Sequence, residues 1–209
     1  MVQKTDSSPR RRGRPRAYDP DVALSRAVET FWAHGYAGTS LDDLSAAMGM
    51  NRPSLYAAFG DKRDLYLKSL AFYRQRSAAM IRDALADDPP LREFMRRFYG
   101  AALESYRPGA PDARGCFLVG TATTEAASDP EVRALLGEGV RKLDELFVKR
   151  IRLAIERGEI ARDADPQALA YLASGTLHTL AHRARSGLSR RELEGLIEAA
   201  IAAICGRAG

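Results

Sequence analysis

The chain has little cysteine, no long apolar run and no stretch in which apolar and polar residues alternate. Two cysteines, Cys116 and Cys205, among 209 residues are too few for a disulfide scaffold and suit a reducing compartment. No apolar run reaches the length needed to span a bilayer, so no membrane partner is expected. The first residues are polar and lack the apolar core of a secretory signal, so the expected location is the cytoplasm. Without period-two alternation, strands are not expected either. There is no glycine-rich phosphate loop and no nucleophile elbow, and no catalytic set of side chains can be named. That weighs against an enzyme, and no cofactor is expected.

Hydrophobic residues make up 45% and charged residues 28% of the chain, the balance of a soluble globular protein. The length allows one large or two small domains with a real core. The formal net charge is +5, a weak hint of nucleic acid by itself, so its location matters more. Much of the excess lies near the start, in Lys4, Arg10, Arg11, Arg12, Arg14 and Arg16, opposed there only by Asp6.

Residues 1–17 are rich in Arg, Ser and Pro, have no apolar period, and read as a disordered basic arm. Asp19-Pro20 is a helix N-cap followed by proline at the first helical position. Leu24, Ala27, Val28 and Phe31 then recur at helical spacing up to Gly35. Ser40 with Asp43 forms a capping box for a second helix ending at Gly49. Asn51 caps a third, ending near Gly60. Asp61 caps a fourth, to about Leu85. Further helices are expected to Tyr106, over Cys116–Ala127, from Asp129-Pro130 to Gly158, from Asp165-Pro166 to Gly187, and from Ser189 to Gly206. Arg107–Gly115, with two prolines and two glycines, reads as a loop. The expected fold is all-α, with about nine helices and no internal repeat.

The segment Leu41–Phe59, LDDLSAAMGMNRPSLYAAF, carries the most specific signal. Leu41, Leu44 and Met48 give the second helix one apolar face, and Gly49 permits a tight turn. Leu55 and Phe59, at i, i+4, seat the third helix on the core. Its opposite face is short and polar, with Asn51, Arg52, Ser54, Tyr56 and small Ala57 and Ala58. Such a helix can enter a major groove and set its N-terminal residues against base edges and phosphates.

These residues resemble a known family. The run GRPRAYD, followed by FWAHGYAGTSLDDLSAAMGMNRPSLYAAFGDKRDLY, is similar to the DNA-binding domain of the tetracycline-repressor (TetR/AcrR) family from about Gly13 to Tyr66. Beyond that, only the helix pattern agrees. The resemblance implies base contacts from Arg52 and Ser54, and phosphate contacts from Tyr56, Thr39, Ser40 and Lys62. Lys62 opens a helix whose dipole also favours an anion. Asn51 is left open between cap and DNA contact. The resemblance further implies a homodimer on a palindromic operator of double-stranded DNA, and repression relieved by a small-molecule effector. The corresponding domains are 18–66 for DNA binding and 67–209 for ligand binding and dimerisation.

Outside the helix-turn-helix, alternatives stay open. RRRGRPR over Arg10–Arg16 is close to an AT-hook core, with Arg12, Arg14 and Arg16 placed for a narrow minor groove; the alternative is a solvated tail that raises non-specific affinity. Candidate effector contacts are Phe98, Cys116, Phe117, Thr121, Thr124, Glu125 and His178, against a reading of these as ordinary core. Cys116 stands beside Arg114 at an expected helix start, which would lower its pKa and favour a reactive thiolate; the alternative is core packing. His178 and His182 have a metal-compatible spacing but no third ligand, so no metal is expected. Leu169, Leu172, Leu177 and Leu180, with Leu193, Leu196, Ile197, Ile201 and Ile204, form the expected dimer stripe. An architectural DNA-binding protein without a ligand is the remaining rival.

Overall fold

The computed structural model describes residues 18–84, 87–106 and 113–206, with the side chains of 83 and 84 left aside. Among these residues there are nine helices and no strand. They are α1 (Pro20–His34), α2 (Leu41–Met48), α3 (Arg52–Phe59), α4 (Lys62–Ala84) and α5 (Leu91–Tyr106). Next comes α6, a π-helical stretch Leu118–Ala122 that runs into the α-helical turn Thr123–Glu125. Then follow α7 (Pro130–Glu156), α8 (Pro166–Arg185) and α9 (Arg190–Cys205).

Local chemistry sets the helix starts. Asp19, Asp129 and Asp165 each accept from the next turn's backbone N–H groups, and each is followed by proline. Those carboxylates satisfy donors that a helix start leaves open, and proline has no N–H to waste there. Ser40 with Asp43, and Ser189 with Glu192, close reciprocal capping boxes. Gly49 ends α2 at φ 65°, a left-handed conformation that glycine adopts without a Cβ clash.

Two cores result. One joins α1–α4 with the α6 region, through Phe31, Trp32, Leu44, Leu55, Phe59, Leu65, Tyr66, Phe117 and Ala122. The other is built by α5, α7, α8 and α9, around Phe94, Phe98, Tyr99, Phe147, Ile151, Leu180 and Ile201. Helix α4 runs unbroken from the first core to the edge of the second, where Ile81 packs. Gly115, at φ 65°, brings the strand of chain before α6 against α8: a Cβ there would lie 2.2 Å from the Ala181 carbonyl oxygen.

The apolar stripe of the last two helices divides differently from expectation. Leu180, Leu193, Ile197, Ile201 and Ile204 are buried in the chain's own core. Leu172 is 56% exposed, beside exposed Tyr171. Residues 1–17, including the arm's Arg12, Arg14 and Arg16, lie outside the described residues, as do 107–112 of the expected loop.

Candidate nucleic-acid interface and cavity

Helix α3 is seated by Leu55 and Phe59, both buried. This leaves Arg52, Ser54, Tyr56 and Ala57 exposed on the other side, with Tyr56 47% exposed despite its large ring. Asn51 is the N-cap: its Oδ1 accepts from the Ser54 N–H at 2.9 Å. Its side-chain oxygen is thus engaged in starting the helix. Arg52 holds Asp42 of α2 through two bonds, Nε at 2.8 Å and Nη2 at 2.5 Å. This exposed pair keeps the guanidinium extended over the α2–α3 face, and the aspartate's charge competes with any base or phosphate for it. Ser40 is exposed but shares its hydroxyl with Asp43.

Thr39 departs from expectation. It is 1% exposed, and its hydroxyl donates to the Gly35 carbonyl at 2.6 Å. Its side chain closes the turn after α1 and is not presented to a phosphate. Lys62 sits at the start of α4 with its ammonium 4.5 Å from the centroid of the Tyr36 ring. Cation–π attraction holds the ammonium at the helix start, where Asp61 caps the Asp64 N–H at 2.9 Å, and there its charge and the helix dipole both favour an anion.

The second feature is a cavity of about 1060 Å³ walled by α4, α5, α6, α7 and α8. Of the residues expected to meet an effector, Phe98, Cys116 and His178 line it. The others go elsewhere. Phe117 is fully buried in the first core, its ring centroid 5.8 Å from Trp32 and 5.5 Å from Tyr73. Thr121 is buried beneath it, accepting from the Tyr66 hydroxyl at 2.9 Å and donating to the Phe117 carbonyl at 2.9 Å. Burial pushes the Tyr66 hydroxyl up to about 12 against the opposing pull of that bond. Thr124 is exposed and Glu125 half-buried, and Glu125 adds its charge to the burial that raises Tyr36. The physical reason is the π turn, which holds more residues per turn than an α-helix. Thr124, seven residues after Phe117, therefore does not share its buried face.

Cys116 also differs from expectation. Arg114 pairs with Glu29 instead, its guanidinium 5.3 Å from the Trp32 ring. The thiol borders the cavity, with the Tyr73 hydroxyl 3.7 Å from Sγ. Burial pushes its pKa up, where the sequence pointed down. His178 of α8 is half-buried in the cavity wall, and burial lowers its pKa, which favours neutral imidazole. His182 is exposed.

Reading the sequence missed Met80 and Ile81 of α4, Tyr106 of α5, and Leu143, Leu146 and Arg150 of α7, all in the cavity wall. Arg150 had a signal: it interrupts the buried stripe Phe147, Ile151 and Ala154 of α7. Asp42 had none beyond sequence proximity.

Helix α4, which follows α3 and walls the cavity, is tied to α7 by ion pairs. At the start of α4, Arg63 grips Asp129, the N-cap of α7, with Nε at 2.6 Å and Nη2 at 2.9 Å, and reaches Glu131 at 2.9 Å. Farther along α4, Arg74 pairs with Glu138 of α7 at 3.2 Å. No helix among the described residues is long and apolar enough to cross a membrane.

Comparison with known proteins accords with this geometry. Residues 23–68 match the family model for bacterial regulatory proteins of the tetR family. Residues 89–200 match the model for the tetracyclin repressor-like C-terminal domain. The HTH-type transcriptional repressor ComR of Escherichia coli is 31% identical over 182 residues, 87% of each chain. The uncharacterized HTH-type transcriptional regulator YezE of Bacillus subtilis is 31% identical over 160 residues, 76% of this chain and 81% of that protein. Among solved structures, a cysteine mutant of the TetR family regulator CifR, complexed with 26-base-pair operator DNA, is 36% identical with a TM-score of 0.75, covering 91% of this chain and 99% of that one. With two family models and relatives matched over most of their length in agreement, the chain belongs to the TetR family of bacterial regulatory proteins, and is a DNA-binding transcriptional regulator rather than an enzyme.

Proposed function

We propose that the protein is a cytoplasmic homodimeric repressor that leaves its operator when a small molecule enters the α4–α8 cavity. The observation that carries this is the dual position of α4. Its first residue, Lys62, stands at the DNA face, and its later turns, with Tyr73, Met80 and Ile81, wall the cavity. A ligand that wedges α4 away from α7 moves the DNA-binding end with it. Release then follows from differential affinity of the ligand for the two arrangements.

In this reading residues 18–66 bind DNA and 67–209 bind effector and partner. Arg52 and Ser54 read bases. Ser40, Tyr56, Lys62 and the backbone around Thr39 hold phosphates, while Asn51 serves as the cap. Arg12, Arg14 and Arg16 of the 1–17 arm lie in the flanking minor groove. Two recognition helices about 34–36 Å apart meet successive major grooves of a palindromic site. The dimer forms across α8 and α9. Support comes from the exposed face of Ala168, Leu172, Gly175 and Thr179 on α8, and of Gly195, Ala199 and Ala203 on α9. These are small residues around one large apolar side chain, suited to close packing of a four-helix bundle.

A cavity-filling variant tests the reading without knowledge of the effector. Leu146→Trp puts a large ring where the ligand would sit. The variant is expected to remain a folded dimer and to bind a library-selected operator at least tenfold more weakly than wild type. Unchanged operator affinity in a folded dimer carrying the tryptophan would remove the cavity from the mechanism.

A further inference from the structure

Resting on the effector reading above, we propose that the ligand of the cavity is an amphipathic carboxylate whose anionic head is received by Arg150. Arg150 lies on α7 in the cavity wall, yet only 6% of it is exposed. Its Nη2 donates to the Pro89 carbonyl. Its Nη2 also stands 3.7 Å from a Glu159 oxygen, which itself accepts from the Leu91 N–H. Nε and Nη1 are buried with no acceptor among the described residues. A guanidinium cannot shed its charge, and buried donors without acceptors are rare because water has been given up with nothing in return. The aromatic face of Phe94, 5.5 Å from the guanidinium carbon, offers attraction to the cation but no lone pair. A carboxylate oxygen accepting from Nε or Nη1 supplies what the site lacks, as a charge-assisted bond in a low-dielectric wall.

The charges around the cavity point the same way. Its two acidic residues are already engaged, Asp88 with Arg157, and Glu138 with Arg74 and Lys142. Arg82 and Lys149 have no acidic partner among the described residues, so the mouth favours an anion. The remaining wall near Arg150 is apolar, with Phe94, Phe98, Leu146 and Leu153, and suits an alkyl or aryl body. A neutral oxygen can accept from the same donors but without the charge assistance, and a cation would meet net repulsion.

The probes are octanoate and decanoate against octanol and decanol, titrated calorimetrically into the full chain and scored in parallel for release of a library-selected operator. Wild type is expected to bind each acid about tenfold or more tightly than its alcohol, the scale of one charge-assisted hydrogen bond. Arg150→Met is expected to bind acid and alcohol alike. Arg150→Lys, which keeps the charge but loses the planar fork, should retain part of the preference. The comparison within wild type stands even if Arg150→Met fails to fold. Alcohols binding as tightly as acids, neither acid binding, or a preference that survives in folded Arg150→Met would each overturn the proposal. Release of operator by the alcohols would at the same time leave the effector reading intact, whereas that reading falls with an inert Leu146→Trp.

Discussion

Phe117→Ala probes the junction between the two cores. The ring is fully buried before α6 and touches aromatic neighbours on both α1 and α4, with centroid separations of 5.8 Å to Trp32, 6.2 Å to Tyr66 and 5.5 Å to Tyr73. Burying such a side chain is worth about 1.5–3 kcal/mol, and each aromatic pair adds about 0.5–1.5 kcal/mol. Its aromatic neighbours sit on two different helices, so the space left behind collapses only in part, and the loss should be about 3–5 kcal/mol. For a chain of this length that lowers the melting temperature by about 2–4 °C per kcal/mol. The assay is urea unfolding at fixed protein concentration, since dimerisation links stability to concentration. The single tryptophan of the chain, Trp32, reports on this junction directly. Phe117→Leu retains most of the volume and should cost clearly less. A loss below about 1 kcal/mol for Phe117→Ala, outside the range for a packed core ring, would refute the claim that this residue ties α6 to the DNA-binding helices.

Three further outcomes follow from particular contacts. Asp42→Asn should tighten operator binding several-fold in a fluorescence-anisotropy titration, because Arg52 no longer has a carboxylate to leave; no gain, or a gain that persists in Arg52→Ala, would show that the pair does not compete with DNA. The Arg63 guanidinium holds Asp129 down at about 2. A depressed carboxylate stabilises the fold above its unfolded value of about 3.9, and that contribution is lost as pH falls toward about 2. Asp129→Asn should therefore lower stability at neutral pH and narrow its gap to wild type over that acid range, and a gap that stays constant with pH would contradict the assignment. Burial raises the Cys116 thiol, so iodoacetamide at neutral pH should modify it more slowly than free cysteine, as followed by mass spectrometry; faster modification would restore the thiolate that Arg114 was expected to stabilise.

Much of the fold could be read in the sequence because helix starts are local. Asp19-Pro20, Asp129-Pro130, Asp165-Pro166 and the capping boxes at Ser40 and Ser189 each announce themselves within four residues, and the structure uses all of them. The α3 face was legible for the same reason, since two buried positions, Leu55 and Phe59, decide where Arg52 and Tyr56 point. The cavity was not. Its wall is assembled from five helices, and periodicity shows that a face is apolar without showing what covers it. Leu180, Ile197 and Ile201 answer to the chain's own core, while Leu172 waits on the surface. Phe117 and Thr121 pack against the DNA-binding helices, and the π-helical Leu118–Ala122 that joins them departs from the 3.6-residue period. The burial of the Thr39 side chain was not legible, because its bond to Gly35 depends on the turn after α1, which no helical period describes.

The central claim is that two copies of α3 read a symmetric DNA site, and selection of bound duplexes from a random library, carried out on the full chain, tests it most directly. The account predicts enrichment of an inverted repeat whose half-sites are about one helical turn apart, or a multiple of that. Arg52→Ala should relax one defined base in each half-site, at a cost of about 1–3 kcal/mol if the contact is bidentate. Lys62→Ala should instead weaken all sequences alike and lower the salt dependence by about one counterion. A selected pool with no inverted repeat, or base preferences that Arg52→Ala leaves untouched, would contradict it.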